Sequence, residues 1–447
     1  MITRLFTDVD AGREFVLRNR DMTEAELSPR MREGVRRVFG EDLSAAEVVE
    51  RIIADVRVNG DLALRHYTRE IDQVDLDSIE VTQAEVDEAL ATVPIDVTEA
   101  LRFAAERIRR FHEQQHINSW MDFQPEGALG QIIRPLERVG LYAPGGTAPY
   151  PSSLLMTAIP AAVAGVAEII VCAPPERDGK IAPVTAVAAN VAGVSRVFKL
   201  GGAQAIAAMA FGTTSVPKVD KILGPGNIFV VLAKRQVYGD VAIDALPGPT
   251  ETLLIADETA DASLCAADML AQAEHDAMAS AILLTTSTGL SSLVLQELER
   301  QLAGLARESI AGESLARNGA IVVVPSLDVA FEIANAYAPE HLCLLLADPW
   351  SRLASVKHAG GIFVGEHSPE VIGDYTAGPS HVMPTGGTAR FSSPVNVSDF
   401  VKIISVIGLN ERGLRTVGPS AVRIAHAEGL TAHAAAVERR LERSRPE

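Results

Sequence analysis

Four short polar islands interrupt the apolar second half of this chain, and each joins an imidazole to a carboxylate. They read QAEHD (Gln272 to Asp276), APEHL (Ala338 to Leu342), GDYTAGPSH (Gly373 to His381) and AEGLTAH (Ala427 to His433). Gln272 and His275 stand three residues apart in the helically patterned run DASLCAADMLAQAEHDAMAS, so both project from one face and can share a ligand. Alone, a QxxH pair reads first as a solvated helix face; HxxH or HExxH is the stronger local metal signal. Asp374 follows a glycine in a turn-rich loop, where an exposed carboxylate needs no special role, and His433 falls in a helix near the C-terminus, where it could simply cap or cover apolar surface. Gathered together, Gln272, His275, Asp374 and His433 form an N2O2 set that suits Zn2+ and tolerates other divalent metals.

Glu340 and His341 are neighbours just after Pro339, at an expected loop-to-helix entry. Adjacent side chains diverge there, so the pair serves two proton-transfer tasks. An imidazole titrating near neutrality is the natural base for an alcohol, and a carboxylate can activate water. The bland alternative is a capping Glu beside a structural His.

Stepping along the chain, residues 1 to 120 are charged and helix-patterned, as in SAAEVVERIIADVRVNG and ALRFAAERIRRFHEQQ. After Glu126 short Val/Ile runs alternate with glycine turns and Ala-rich helical segments, as in EIIVCAPP, RVFKLGG, ETLLIAD and AIVVVPS. That alternation predicts βαβ units around buried parallel sheets. Two α/β domains are expected, Tyr142 to Gly248 and Pro249 to about Ser393, with the N-terminal helices packing on the second. From Asn410 the sequence is helical again, and so short a tail must dock on something, a second subunit being one candidate.

No GxGxxG fingerprint occurs. YAPGGTAP (Tyr142 to Pro149), LGGAQAIAA (Leu200 to Ala208) and LGPGNIFV (Leu223 to Val230) are instead three turns where backbone can approach a phosphate. At successive strand ends they suggest one crevice at a sheet's carboxyl edge. The formal charge of -18 makes nucleic acid and anionic membrane surfaces poor partners. The N-terminus has no signal-like apolar core, and the longest apolar stretch, near Leu154 to Val166, is broken by Pro160, so a cytoplasmic protein is expected. Cys172, Cys265 and Cys343 lack CxxC spacing and suggest small buried hydrophobes.

From about Arg32 to the C-terminus, the chain resembles the histidinol dehydrogenase family. The segments VGLYAPGGTAPYPSSLLM, GPGNIFVVLAK, AQAEHD, APEHL, GDYTAGPSH, PTGGTARFSSPV and AEGLTAH stand in family order. The resemblance implies a pair of Rossmann-like, aldehyde-dehydrogenase-like α/β domains. It divides the chain into an N-terminal helical extension (1–35), an α/β domain bearing most of the chemistry (36–141 with 249–393), an NAD-binding domain (142–248) and a C-terminal helical extension (394–447).

It further implies oxidation of L-histidinol to L-histidine through L-histidinaldehyde, with two NAD+ and one Zn2+ per subunit. Gln272, His275, Asp374 and His433 would be the zinc ligands, His341 the base for the alcohol and Glu340 the activator of water. Thr250, Gln272, His275, His341, Asp374, Glu428 and His433 would contact substrate, and Tyr142, Gln204 and Asn227 would bind NAD+. Glu428 and His433 would complete the active site of the other chain in a homodimer. Thr250 departs from a frequent Ser and Ser380 from a frequent Asn, while His381 has either a supporting or a substrate-contacting role. The rivals are a same-fold dehydrogenase of another small alcohol such as a sulfonated diol, a zinc hydrolase using Glu340, a thiol-dependent aldehyde dehydrogenase using Cys343, and a non-catalytic metal-binding protein.

Overall fold

The protein is described from a computed structural model covering residues 2–18, 27–145 and 149–443. Residues 19–26 of the expected N-terminal extension, 146–148 of the first glycine turn and 444–447 at the C-terminus lie outside the described residues. Contacts divide the chain into a larger unit, Met1–Gln114 with Glu137–Phe400, and a smaller one, Gln115–Leu136 with Val401–Glu447.

Two parallel sheets organise the larger unit, as the alternating texture predicts. The six-stranded sheet runs in the spatial order Arg4–Phe6, Ala320–Val323, Ser280–Thr285, Glu251–Ala256, His341–Leu345 and Gly361–Val364. The five-stranded sheet runs Arg196–Lys199, Glu168–Ala173, Arg138–Tyr142, Lys221–Leu223 and Ala242–Ile243. Every residue of Glu251–Ala256 is buried. That continuous burial follows from helices covering both faces, which removes the in–out alternation of a one-sided sheet.

The N-terminal helices pack differently from expectation. Val48, Val49, Ile52 and Val56 of the helix Ala45–Asn59 join a core with Tyr142, Ile170, Phe198 and Leu200, which belong to or adjoin the five-stranded sheet. Glu80 bridges to Phe198 and pairs with Arg196 at 2.6 Å, and Glu85 accepts from Lys199 at 2.9 Å. These helices therefore share the core of residues 142–248, which corrects the grouping of 36–141 with 249–393. The first segment does reach the six-stranded sheet: Arg4–Phe6 pairs with Ala320–Val322, and Phe6, Phe15 and Val16 join its core. Helical periodicity marks which stripe is apolar, not which sheet receives it.

The smaller unit corrects the helical reading of 394–447. Val401–Leu409 is a strand, antiparallel to Gly127–Pro135 over nine residue pairs, and Trp120–Gln124 completes three strands. The segment VKIISVIGL is rich in β-branched residues, which favour a pleated strand. Asn410 then caps the helix Glu411–Ala427, which packs on Thr431–Arg443, so the tail is helical from residue 411. Among the described residues no helix is long and apolar enough to cross a membrane.

Candidate functional site

The two sheets of the larger unit meet a common cavity of about 370 Å³ with opposite edges. Thr250 and His341 stand at the amino ends of their strands, and Gln272 lies in the last turn of the helix Ala262–Ala273 that follows one of them. Pro144 follows the carboxyl end of Arg138–Tyr142, and Pro225, Gly226 and Asn227 follow Lys221–Leu223. All lining residues belong to the larger unit.

Glu340 and His341 are buried, and His341 opens a strand instead of the expected helix. The turn into that strand is made by Ala338, whose φ of +52° is left-handed and uncommon for a residue with a Cβ. Glu340 Oε2 accepts from Thr250 Oγ1 at 2.5 Å and from the Glu251 amide at 3.0 Å. Burial nevertheless raises its pKa. His341 Nδ1 lies 3.1 Å from the Glu251 carbonyl, which can only accept, so Nδ1 carries a proton. Nε2 has no hydrogen-bond partner among the described residues and stands 3.6 Å from Asp374 Oδ1. Burial pushes the His341 pKa down, but Glu340, Asp374 and Glu370 together outweigh it and lift the imidazole to about 10.

Asp374 lies in the last turn of the short helix Glu370–Tyr375, not in a loop. Burial alone would raise its pKa, yet His341, His381 and His275 hold it below the ordinary value. His381 is clamped at both nitrogens: Nδ1 donates to the Asp374 carbonyl at 2.6 Å and Nε2 accepts from Ser153 Oγ at 2.9 Å. With burial also lowering its pKa, this imidazole is neutral. It supports the Asp374 turn while its ring lines the cavity.

His275 lies two residues beyond its helix, at an exposed rim position of the cavity. Gln272, His275 and Asp374 thus offer one carboxamide, one imidazole and one carboxylate to one space. Both Gln272 and Asp374 occupy terminal helical turns, whose carbonyl ends favour a cation. These donors suit a borderline divalent metal. They are three of an expected four, and among the described residues no three His, Cys, Asp or Glu side chains gather as a metal site by themselves. Glu428 and His433 are exposed on the smaller unit, at the end of one helix and within the next.

Of the expected cofactor residues, Asn227 lines the cavity and caps the helix Ile228–Val237 through the amides of Phe229 and Val230. Tyr142 is buried in the core and accepts from the Gly202 amide at 3.0 Å. Gln204 is fully buried, with neither carboxamide atom partnered among the described residues. The turn before Asn227 is fixed from both sides, since Lys234 donates to the Gly224 carbonyl at 2.9 Å and the Gly224 amide donates to Asp244 at 2.8 Å. Gly224 has φ +121°, and a Cβ there would stand 2.3 Å from the Tyr142 carbonyl. Only glycine fits such a turn.

Tyr150, Ser153, Tyr375, Thr385 and Glu370 escaped the sequence reading. Tyr150, Ser153, Tyr375 and Thr385 lie in recognised segments and Glu370 precedes Asp374 by one helical turn, but none has a chemistry-bearing spacing of its own.

Two parallel α/β sheets around a cavity of buried acids and imidazoles define an α/β enzyme with a cation-attracting site. The matching family model is described as histidinol dehydrogenase and spans residues 36–441. The chain is 55% identical to the histidinol dehydrogenase of Deinococcus radiodurans over 91% of its own length and 93% of that protein's. It is 51% identical to that of Dehalococcoides mccartyi, covering 95% and 97%. A crystal structure of histidinol dehydrogenase from Elizabethkingia anophelis superposes with a TM-score of 0.90 at 35% identity, covering 99% of this chain and 98% of that one. The chain belongs to the histidinol dehydrogenase family.

Proposed function

We propose that this protein oxidises L-histidinol through L-histidinaldehyde to L-histidine, reducing two NAD+. The observation that carries this reading is the convergence of Glu340 and His341 with Gln272, His275 and Asp374 on one cavity. Gln272, His275 and Asp374 would hold Zn2+ together with His433 of the partner subunit, whose Glu428 would meet the substrate amine. A bound dication there would supply orientation of the substrate's imidazole and amine and a charge to offset the carboxylates around His341.

His341 Nε2 then takes the alcohol proton while Nδ1 remains tied to the Glu251 carbonyl, which holds the tautomer. Glu340 has one oxygen engaged by Thr250 and the Glu251 amide, leaving the other to accept a proton from the water that hydrates the aldehyde. As water adds, His341 returns its proton to the aldehyde oxygen and so is neutral again to act as base for the hydrate while the second NAD+ takes the hydride. NAD+ would lie along the glycine turns of residues 142–248, where Asn227 opens a helix whose amino end favours phosphate. A homodimer with shared sites and a cytoplasmic location complete the proposal.

The test is a steady-state assay of the zinc-loaded protein with NAD+ and L-histidinol. Two NADH per L-histidine formed is the expected result. NADH formation from a sulfonated diol but not from L-histidinol would overturn the assignment, and hydrolysis without NADH would favour the zinc-hydrolase reading. The intact AEGLTAH segment, with Glu428 available for an amine, favours histidinol.

A further inference from the structure

A carboxamide is a poor metal ligand unless something tells its two ends apart, because only the oxygen coordinates while the nitrogen repels a cation. Gln272 is buried, 1% exposed, and its neighbours are satisfied in one orientation. In that orientation its nitrogen donates to Glu370 Oε1 at 3.1 Å, and its oxygen accepts from the Glu251 amide at 2.7 Å and Thr250 Oγ1 at 2.6 Å. The opposite orientation turns the nitrogen onto Thr250 and leaves oxygen facing Glu370 Oε1, a contact between two acceptors whenever that carboxyl is ionised.

Glu370 itself is 1% exposed, an unusual place for a carboxylate. It lies on the helix Glu370–Tyr375, four residues before Asp374, so one short helix aims both carboxylates to the same side. We infer that Glu370 is a positioning residue that locks the Gln272 carboxamide with its oxygen presented for metal binding. The inference rests on the zinc reading above and extends it to a residue that touches neither substrate nor metal.

Thr250 gives the lock a second consequence. Its single hydroxyl proton can go to the Gln272 oxygen or to Glu340 Oε2, 2.6 and 2.5 Å away, but not to both. Once a cation occupies the Gln272 oxygen, the proton turns to Glu340. Orientation at Gln272 is thereby linked to the carboxylate that handles water.

Zn2+ affinity of the full-length protein, measured by competition with a chromophoric chelator, tests this without recourse to turnover. Four proteins are compared: wild type, Glu370→Leu, Glu370→Gln and the exchanged pair Gln272→Glu/Glu370→Gln. The leucine variant should bind Zn2+ roughly 10- to 100-fold more weakly, as for other outer-shell partners of metal ligands. Glu370→Gln, whose carboxamide oxygen still accepts, should stay within about threefold of wild type, and the exchanged pair within about tenfold. Wild-type affinity in the leucine variant would overturn the positioning role, as would equal losses in all three variants. If the leucine variant does not fold, the other two still decide. A wild-type protein that binds no Zn2+ would instead sink the metal reading itself, and the inference with it.

Discussion

The two sheets of the larger unit are built alike yet face the cavity with opposite ends. The six-stranded sheet offers its amino edge, where helices finish, and there Gln272, Asp374, Glu340 and His341 assemble. The five-stranded sheet offers its carboxyl edge, where helices begin, with Asn227 as a cap and Gly224 in a glycine-only turn. Helix carboxyl ends favour cations and amino ends favour anions. The same architecture presented in two senses therefore gives one wall that favours cations and one that favours anions. The sheets also differ inside: the first buries acids and imidazoles that lean on one another, the second mostly alkyl surface with Gln204, Lys199, the Lys234–Asp244 pair and one carboxylate oxygen of Asp72 set into it.

The sharpest way to break this comparison is to remove the proton acceptor from the cation-attracting wall. His341→Ala should lower the oxidation rate by roughly 10²- to 10⁴-fold, with Zn2+ content by metal analysis unchanged. Mixing it with His433→Ala under subunit exchange should restore part of the activity if sites are shared between chains. No recovery on mixing would count against sharing.

An alteration on the other wall should leave metal binding alone. Gly224→Ala forces a Cβ toward the Tyr142 carbonyl from a left-handed backbone, a strain of about 1–3 kcal/mol. The thermal midpoint should fall and the KM for NAD+ should rise, with Zn2+ affinity retained. A fall in Zn2+ affinity equal to the loss in NAD+ would mean that the two walls do not act separately.

Asp72 probes the alkyl-rich interior. Burial alone pushes its carboxyl up to about 7, from an ordinary 3.8. A raised carboxylate binds its proton more tightly in the folded state, so folding carries no penalty below pH 3.8. The penalty grows as pH rises toward 7 and is complete above it. Asp72→Asn should stabilise the protein at pH 8 by at most ~4 kcal/mol, with the gain vanishing near pH 4 in denaturant titrations. A gain independent of pH would refute this origin.

The smallest effect is expected at Cys343. Its thiol is buried beside Thr252, and burial drives its pKa well above the ordinary thiol value, the reverse of what a nucleophile needs. Cys343→Ser should leave turnover within a few-fold of wild type; complete loss in a folded variant would revive the thiol mechanism.

The sequence made the polar residues of the six-stranded wall legible because each sits in a motif with its own chemistry, Glu340 beside His341 and Gln272 three before His275. Glu370 was not legible: a lone Glu after a proline means nothing until folding brings it under Gln272. The strand pattern was equally plain in ETLLIAD, whereas the partner of the helix Ala45–Asn59 was hidden, since its apolar stripe would suit either sheet. VKIISVIGL shows the remaining difficulty. Its propensity is local, but its mate, Gly127–Pro135, lies far away in the chain.

That distance bears on how the protein is made. Residues 115–136 leave the ribosome well before Val401–Leu409, which completes their sheet. At typical rates of synthesis the hairpin Trp120–Pro135 waits on the order of tens of seconds with an unpaired edge. Exposed edges of this kind invite pairing with the wrong chain. The smaller unit thus needs shelter during translation until its distant strand arrives.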